Sequence, residues 1–181
     1  MSALRLINET NVSSFVNTVN ITDIFSADFD IYKIVVSDTE PSGVPSTDVN
    51  ALYTRFINSS GSIITASNYD RANLVMKAES TYDEDRATNQ SFLYARDYIA
   101  NYTSSGSVTY IFNPYSSSSY TFMLGQGSGG YDTGNNRYRA SKQIGVLKQT
   151  ASMTGINLYS SNSSYSFKAL IRTYGLRVDN G

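Results

Sequence analysis

Near its C-terminal end the chain reads Tyr165-Ser166-Phe167-Lys168-Ala169-Leu170-Ile171-Arg172. Tyr165, Phe167, Ala169 and Ile171 fall at every second position, and Ser166, Lys168, Leu170 and Arg172 fill the places between. A period of two belongs to a strand, whose successive side chains point to opposite sides; a helix would bring every third or fourth residue to one side. The stretch is therefore a strand with one apolar and one mostly polar side. It predicts Phe167 and Ile171 in a core and Lys168 and Arg172 outside it, with Leu170 as the apolar exception. The strand runs on to Tyr174-Gly175-Leu176, where Gly175 suits a bulge or a close backbone approach.

The same alternation recurs upstream. Val108, Tyr110 and Phe112 alternate with Thr109 and Ile111 until Asn113-Pro114 stops the run, and Tyr120, Phe122 and Leu124 alternate with Thr121 and Met123. From Ala51 to Ile57, Leu52 and Phe56 share one side and Tyr53 and Ile57 the other. The β-branched run Ile31 to Val36 reads as a central strand entered by a turn over Phe25 to Asp30, and Ser14 to Val19 is the first strand candidate. Tyr138 to Ser141, Gly145 to Lys148 and Thr154 to Tyr159 are further strand candidates. Thr39 to Asp48 holds Gly43 and all but one of the prolines and is expected to be a loop; Asn58 to Gly61 is a turn. Gly125 to Asn136 is glycine-rich and is expected to be exposed or mobile. Ser67 to Ser105 stays open: Asn73 to Glu79 and Ser91 to Tyr98 fit strands or a short helix, with strands preferred. Eight to ten short strands without αβ alternation predict an all-β, antiparallel β-sandwich of jelly-roll type, one domain over residues 1–181, with room for one short helix.

Composition excludes whole classes of chemistry. Among 181 residues there is no Cys and no His, so disulfides, thiolate metal sites and a Ser–His–Asp triad are ruled out. Net charge is −1 with the cations scattered singly, which does not fit nucleic-acid binding. No apolar run approaches the roughly 20 residues of a membrane span, and the N-terminal apolar stretch is too short for a signal peptide. A soluble chain made in a cytoplasm is expected.

Three further patterns bear on function. Gly125-Gln126-Gly127-Ser128-Gly129-Gly130 has the look of a phosphate-cradling loop, but it lacks Gly-Lys-Ser/Thr and no helical pattern follows. Asp83-Glu84-Asp85 and the pair Asp28 and Asp30 are acidic clusters; calcium is the one ion they suit, without the EF-hand spacing. A glycosidase needs only two carboxylates at the right separation, so the sequence cannot discriminate for one. No catalytic residue, metal or cofactor is assigned. The 15 tyrosines carry more weight, since a phenol joins an apolar ring to a polar tip and suits contact surfaces. Tyr115, Tyr120, Tyr131, Tyr138 and Tyr159, with Tyr110, flank polar loops and are the candidate contacts, with a glycan or with another protein subunit; ordinary sandwich positions are the alternative.

Several of these segments, taken together, resemble a domain of tailed-bacteriophage structural proteins: the strand ending in Asn113-Pro114, Thr154-Gly155-Ile156-Asn157-Leu158-Tyr159, the closing Ile171-Arg172-Thr173-Tyr174-Gly175-Leu176, and the entry Asp28-Phe29-Asp30-Ile31-Tyr32-Lys33-Ile34. The likeness spans most of the chain through short motifs, and Tyr69 to Thr103 matches nothing in it. It implies a jelly-roll or related β-sandwich protein of the virion (capsid decoration, tail, baseplate or fibre) and carries over no catalytic residue. The implied role is a non-enzymatic structural component, made in the host cytoplasm, homo-oligomeric and bound to other virion proteins. The alternative is a receptor adhesin whose partner is a cell-surface carbohydrate.

Overall fold

The computed structural model describes residues 3–44, 50–78, 80–99, 105–132 and 137–177, and they contain twelve strands and no helix. In chain order these are β1 (Ala3–Val16), β2 (Thr18–Ile21), β3 (Ile31–Ser42), β4 (Asn50–Asn58), β5 (Tyr69–Lys77), β6 (Tyr82–Gln90), β7 (Leu93–Ile99), β8 (Ser105–Phe112), β9 (Thr121–Asp132), β10 (Arg137–Leu147), β11 (Met153–Ser160) and β12 (Ser166–Arg177). Every pairing is antiparallel. One sheet has eight strands in the order β1-β12-β3-β8-β9-β10-β5-β6, and the other has four in the order β2-β11-β4-β7.

That order resolves into a frame and an addition. With the hairpins β5–β6 and β9–β10 set aside, eight strands remain, arranged as β1-β12-β3-β8 over β2-β11-β4-β7. Numbered by their own order along the chain, they lie first, eighth, third, sixth over second, seventh, fourth, fifth, which is the double Greek key of a jelly roll. The two hairpins then pair with each other through β10 and β5 and extend the larger sheet beyond β8. The antiparallel sandwich expected from alternation is present, with twelve strands rather than eight to ten and with strands rather than a helix over residues 69–77 and 93–99.

The frame is held by what alternation put on its inner side. Phe167 and Ile171 are fully buried, Ala169 nearly so, and they join Tyr32, Ile34, Val36, Leu52, Phe56, Ile156 and Leu158 in one core. Lys168, Leu170 and Arg172 take the other side of β12, as expected. Two buried tyrosines satisfy their hydroxyls on the backbone. Tyr32 Oη accepts from Ser26 N at 2.8 Å and donates to Ser26 O at 2.9 Å. Tyr69 Oη accepts from Phe56 N at 3.1 Å and donates to Ile64 O at 3.0 Å. At Gly175 an added Cβ would meet the Phe29 ring at 2.6 Å, so the glycine leaves space for that ring.

Two loop expectations are corrected. Residues 125–132 belong to β9, with Gly125 and Gly127 buried rather than exposed; residues 133–136 lie outside the described residues. Glycine is used there for room: a Cβ on Gly125 would stand 2.8 Å from Gln143 Oε1 and 3.2 Å from Thr109 Oγ1. Likewise β3 runs through Thr39 and Pro41 to Ser42, and residues 45–49 lie outside the described residues. Among the described residues the pairing of β3 with β8 ends at Thr39↔Ser105, and Pro41 lies beyond that pair, where a residue without an N–H is tolerated. Tyr138–Ser141 and Gly145–Lys148, read as two short strands, fall on the single strand β10, which ends at Leu147.

Candidate binding face

The outer side of the eight-stranded sheet carries three rows of side chains, fixed by the strand registers. The first runs Leu4, Leu176, Ile31, Phe112, Phe122, Val146. The second runs Leu6, Tyr174, Lys33, Tyr110, Leu124, Ile144, Ala72, Arg86. The third runs Glu9, Arg172, Val35, Val108, Gln126, Lys142, Leu74, Glu84. One layer of a sandwich ordinarily turns a polar side to water. Here the first row is apolar across six strands, and Leu6, Phe122 and Ile144 remain 50%, 49% and 55% exposed.

Charged groups surround this band. Glu9 accepts from Arg172 Nε at 2.6 Å, and Asp70 accepts from Lys148 Nζ at 2.9 Å and from Asn89 N at 2.8 Å. The bond from Lys148, and then that from Asn89, hold the Asp70 carboxyl below its ordinary value. Lys33, Lys142 and Arg86 make no ion pair among the described residues. Over β9, β10, β5 and β6 the face dips into a groove of about 770 Å³, with Phe122, Ile144, Val146 and Ala72 along it and Asp70, Arg86 and Thr88 at its side.

A second group sits on the outer side of the four-stranded sheet. Tyr53 stacks on Phe92 with ring centroids 3.9 Å apart and meets Tyr94 and Tyr159 edge-on at 5.5 and 5.6 Å. The Arg55 guanidinium lies 4.4 Å from the Tyr159 ring, and that of Arg71 lies 4.8 Å from Phe92 and 4.3 Å from Tyr94. Asp85 closes the cluster, paired with Arg71 and accepting from Tyr94 Oη at 2.9 Å. Burial pushes the Tyr94 phenol up, and its bond to Asp85 adds to this. Burial also pushes Asp85 up, but the bonds from Tyr94 and Arg71 outweigh it and leave the carboxyl low. The ring faces are taken by neighbours within the chain. The cluster ties the β5–β6 hairpin (Arg71, Asp85) to β4, β7 and β11; it is a brace rather than an open platform.

No family model matches the chain, and no curated protein matches it. Among solved structures, one similar chain is the CBM2 module of Lactobacillus casei BL23 phage J-1 evolved Dit. The likeness has a TM-score of 0.29 and 12% identity, over 91% of this chain and 70% of that one. At that level it carries no argument.

The candidate tyrosines do not converge on one site. Tyr115 and Tyr120 are exposed in the β8–β9 connection, and Tyr138 is 57% exposed on β10. Tyr138 pairs with Gly130, nine positions along β9 from Thr121, so it lies roughly 30 Å from Tyr120 at strand rise. Tyr110 stands in the second row, and the side chain of Tyr131 lies outside the described residues. Tyr159 is half-buried, with the Arg55 guanidinium over its ring. The acidic run is engaged in the chain as well: Asp83 pairs with Lys77 and Asp85 with Arg71. Sequence reading missed Phe122, Ile144 and Arg86. The signal lay in β9 and β10, where Phe122, Leu124, Ile144 and Val146 alternate with Thr121, Met123, Gly125, Gln143, Gly145 and Leu147, so that the inward set is mixed and the outward set is the more apolar.

Proposed function

We propose that this chain is a non-enzymatic structural component of a tailed-bacteriophage virion, attached to neighbouring virion proteins through the outer side of the frame strands β1, β12, β3 and β8. The observation that carries the attachment face is the apolar row Leu4, Leu176, Ile31, Phe112, with Val35 and Val108 in the third row beyond Lys33 and Tyr110, on a side of the sheet that no second layer covers among the described residues. Contiguous apolar surface of this kind marks interaction sites. The phage assignment rests on the motif resemblance, whose segments all fall in or beside frame strands: β3, β8, β11 and β12. The stretch that matches nothing, Tyr69 to Thr103, begins with the added hairpin β5–β6. A fold alone does not name a function, and jelly rolls serve capsids and lectins alike.

The test is complementation of a virus lacking the protein, using chains with Val35→Asp and Val108→Asp. Both side chains lie on the outer side, so circular dichroism should stay unchanged while copies per purified particle fall steeply. Incorporation of the double variant at the wild-type copy number would remove this face from the attachment. The adhesin reading has its own observation, the mixed apolar and polar groove on the extension.

A further inference from the structure

We propose that the groove over β9, β10, β5 and β6 is a binding site for an anionic saccharide. The site lies on the extension, adjoining the attachment row where Phe122 pairs with Phe112, and its argument does not depend on the phage assignment.

A sugar ring presents C–H groups on its faces and hydroxyls around its edge. It is held by a flat apolar surface beneath and hydrogen-bonding groups at the side. Phe122 supplies the flat surface: it is half-exposed, and the register continues it into Val146 on the neighbouring strand. Ile144 extends the apolar floor. The groove's volume of about 770 Å³ falls in the range of small-molecule sites, and its mix of apolar lining with few polar groups is the usual one.

The polar wall decides the charge of the ligand. Asp70 is already met by Lys148 and by Asn89 N, so its negative charge is matched within the chain. Arg86 lines the same groove and makes no ion pair among the described residues. Its guanidinium offers five N–H donors in a planar fork that fits a carboxylate or phosphate through two bonds at once. Thr88 adds a hydroxyl that both donates and accepts, as a sugar hydroxyl requires. A carboxylate- or phosphate-bearing sugar thus satisfies Arg86, whereas a neutral sugar leaves its charge unmatched.

The experiment uses the full chain labelled for NMR, with fold checked by circular dichroism. The probes are an oligogalacturonate, a sialylated trisaccharide, a hexose phosphate, a neutral galacto-oligosaccharide and a short Glu/Phe peptide. At least one anionic sugar should shift the Phe122 ring and the amides of β9, β10 and β5. Phe122→Ala and Arg86→Gln should each weaken that binding about tenfold or more. Added salt should weaken wild-type binding more than the residual binding of Arg86→Gln. The proposal is overturned if no anionic sugar shifts the groove, if the neutral sugar binds as well as the anionic ones, or if Arg86→Gln binds unchanged. Tighter binding of the peptide than of any sugar would make the groove a polypeptide site and overturn it as well.

Discussion

Across the eight-stranded sheet the inner side chains change character at β8. On β12 and β3 they are Phe167, Ala169, Ile171, Tyr32, Ile34 and Val36. On β9, β10 and β5 many are Thr121, Gly125, Ser141, Gln143 and Asn73, buried but polar or without a side chain. The frame is stabilised by an apolar core between two sheets. The extension outruns most of the smaller sheet; it sends Tyr69, Met123 and Leu147 into the same core and is further held by β7 packed beneath it and by the pairing of Arg71 with Asp85 and of Lys77 with Asp83. The lesson is that one continuous sheet combines two modes of stabilisation. The more polar inner side lies where the outer side carries an open groove.

The largest expected effect is in the frame. Phe167→Ala should destabilise the protein by about 3–5 kcal/mol, since a fully buried ring is lost and a cavity left. Denaturant unfolding measures it. A cost near that of a surface change, about 0.5 kcal/mol, would remove Phe167 from the core and with it the frame.

At the junction of the two regions, Tyr69→Phe should cost roughly 1–3 kcal/mol, because the buried Phe56 N–H and Ile64 C=O lose their partner. Burial raises the Tyr69 phenol far above its ordinary value of 10.0. Below pH 10 the phenol is protonated in both folded and unfolded chains. Above it the unfolded chain releases the proton and the folded one does not, so stability falls as pH rises. Tyr69→Phe should flatten that alkaline loss, and an unchanged slope would contradict the buried, neutral phenol.

Gly145→Ala probes how β7 seats the extension. The new Cβ would stand 2.6 Å from Cδ2 and 3.0 Å from Cδ1 of the buried Leu93. Overpacking of this kind costs about 1–3 kcal/mol. The double variant Gly145→Ala with Leu93→Ala should cost less than the sum of the two single changes. Strict additivity would show that the two residues do not meet.

The smallest effect should come from the brace. Asp85 is half-exposed and its carboxyl is held low, so its contribution is present above the ordinary carboxylate value of 3.8 and is lost as pH falls below it. Asp85→Asn should cost below about 1 kcal/mol at neutral pH, screened as its exposure implies, and should reduce the acid sensitivity of stability. Equal acid sensitivity in the variant would remove Asp85 from the account.

Legibility of the sequence follows the same division. Phe167 and Ile171 were readable because on β12 the apolar set of the alternating strand is also the buried set. The same reasoning loses its direction in β9 and β10: Phe122 and Ile144 alternate as cleanly as Phe167, yet they face out, because small and polar residues opposite them are covered by β7. Gly125 and Gly127 looked like loop residues since glycine is a poor strand former, and only the nearness of Gln143 and Thr109 shows why Gly125 is needed. Pro41 misled in the same way, because proline is a poor strand former and yet lies within β3. Tyrosine count pointed to contacts but not to a site. Tyr159 and Tyr53 meet through pairing between distant strands, and Arg86 reaches the groove only because β6 joins the far edge of the sheet.

A density map of the intact particle tests the account most directly. The account predicts the outer side of β12, β3 and β8, around Val35, Val108 and Tyr174, against a neighbouring virion protein, with the β5–β6 end and its groove open to solvent. Density placing the β5–β6 end in the contact, with the frame face free, would contradict it.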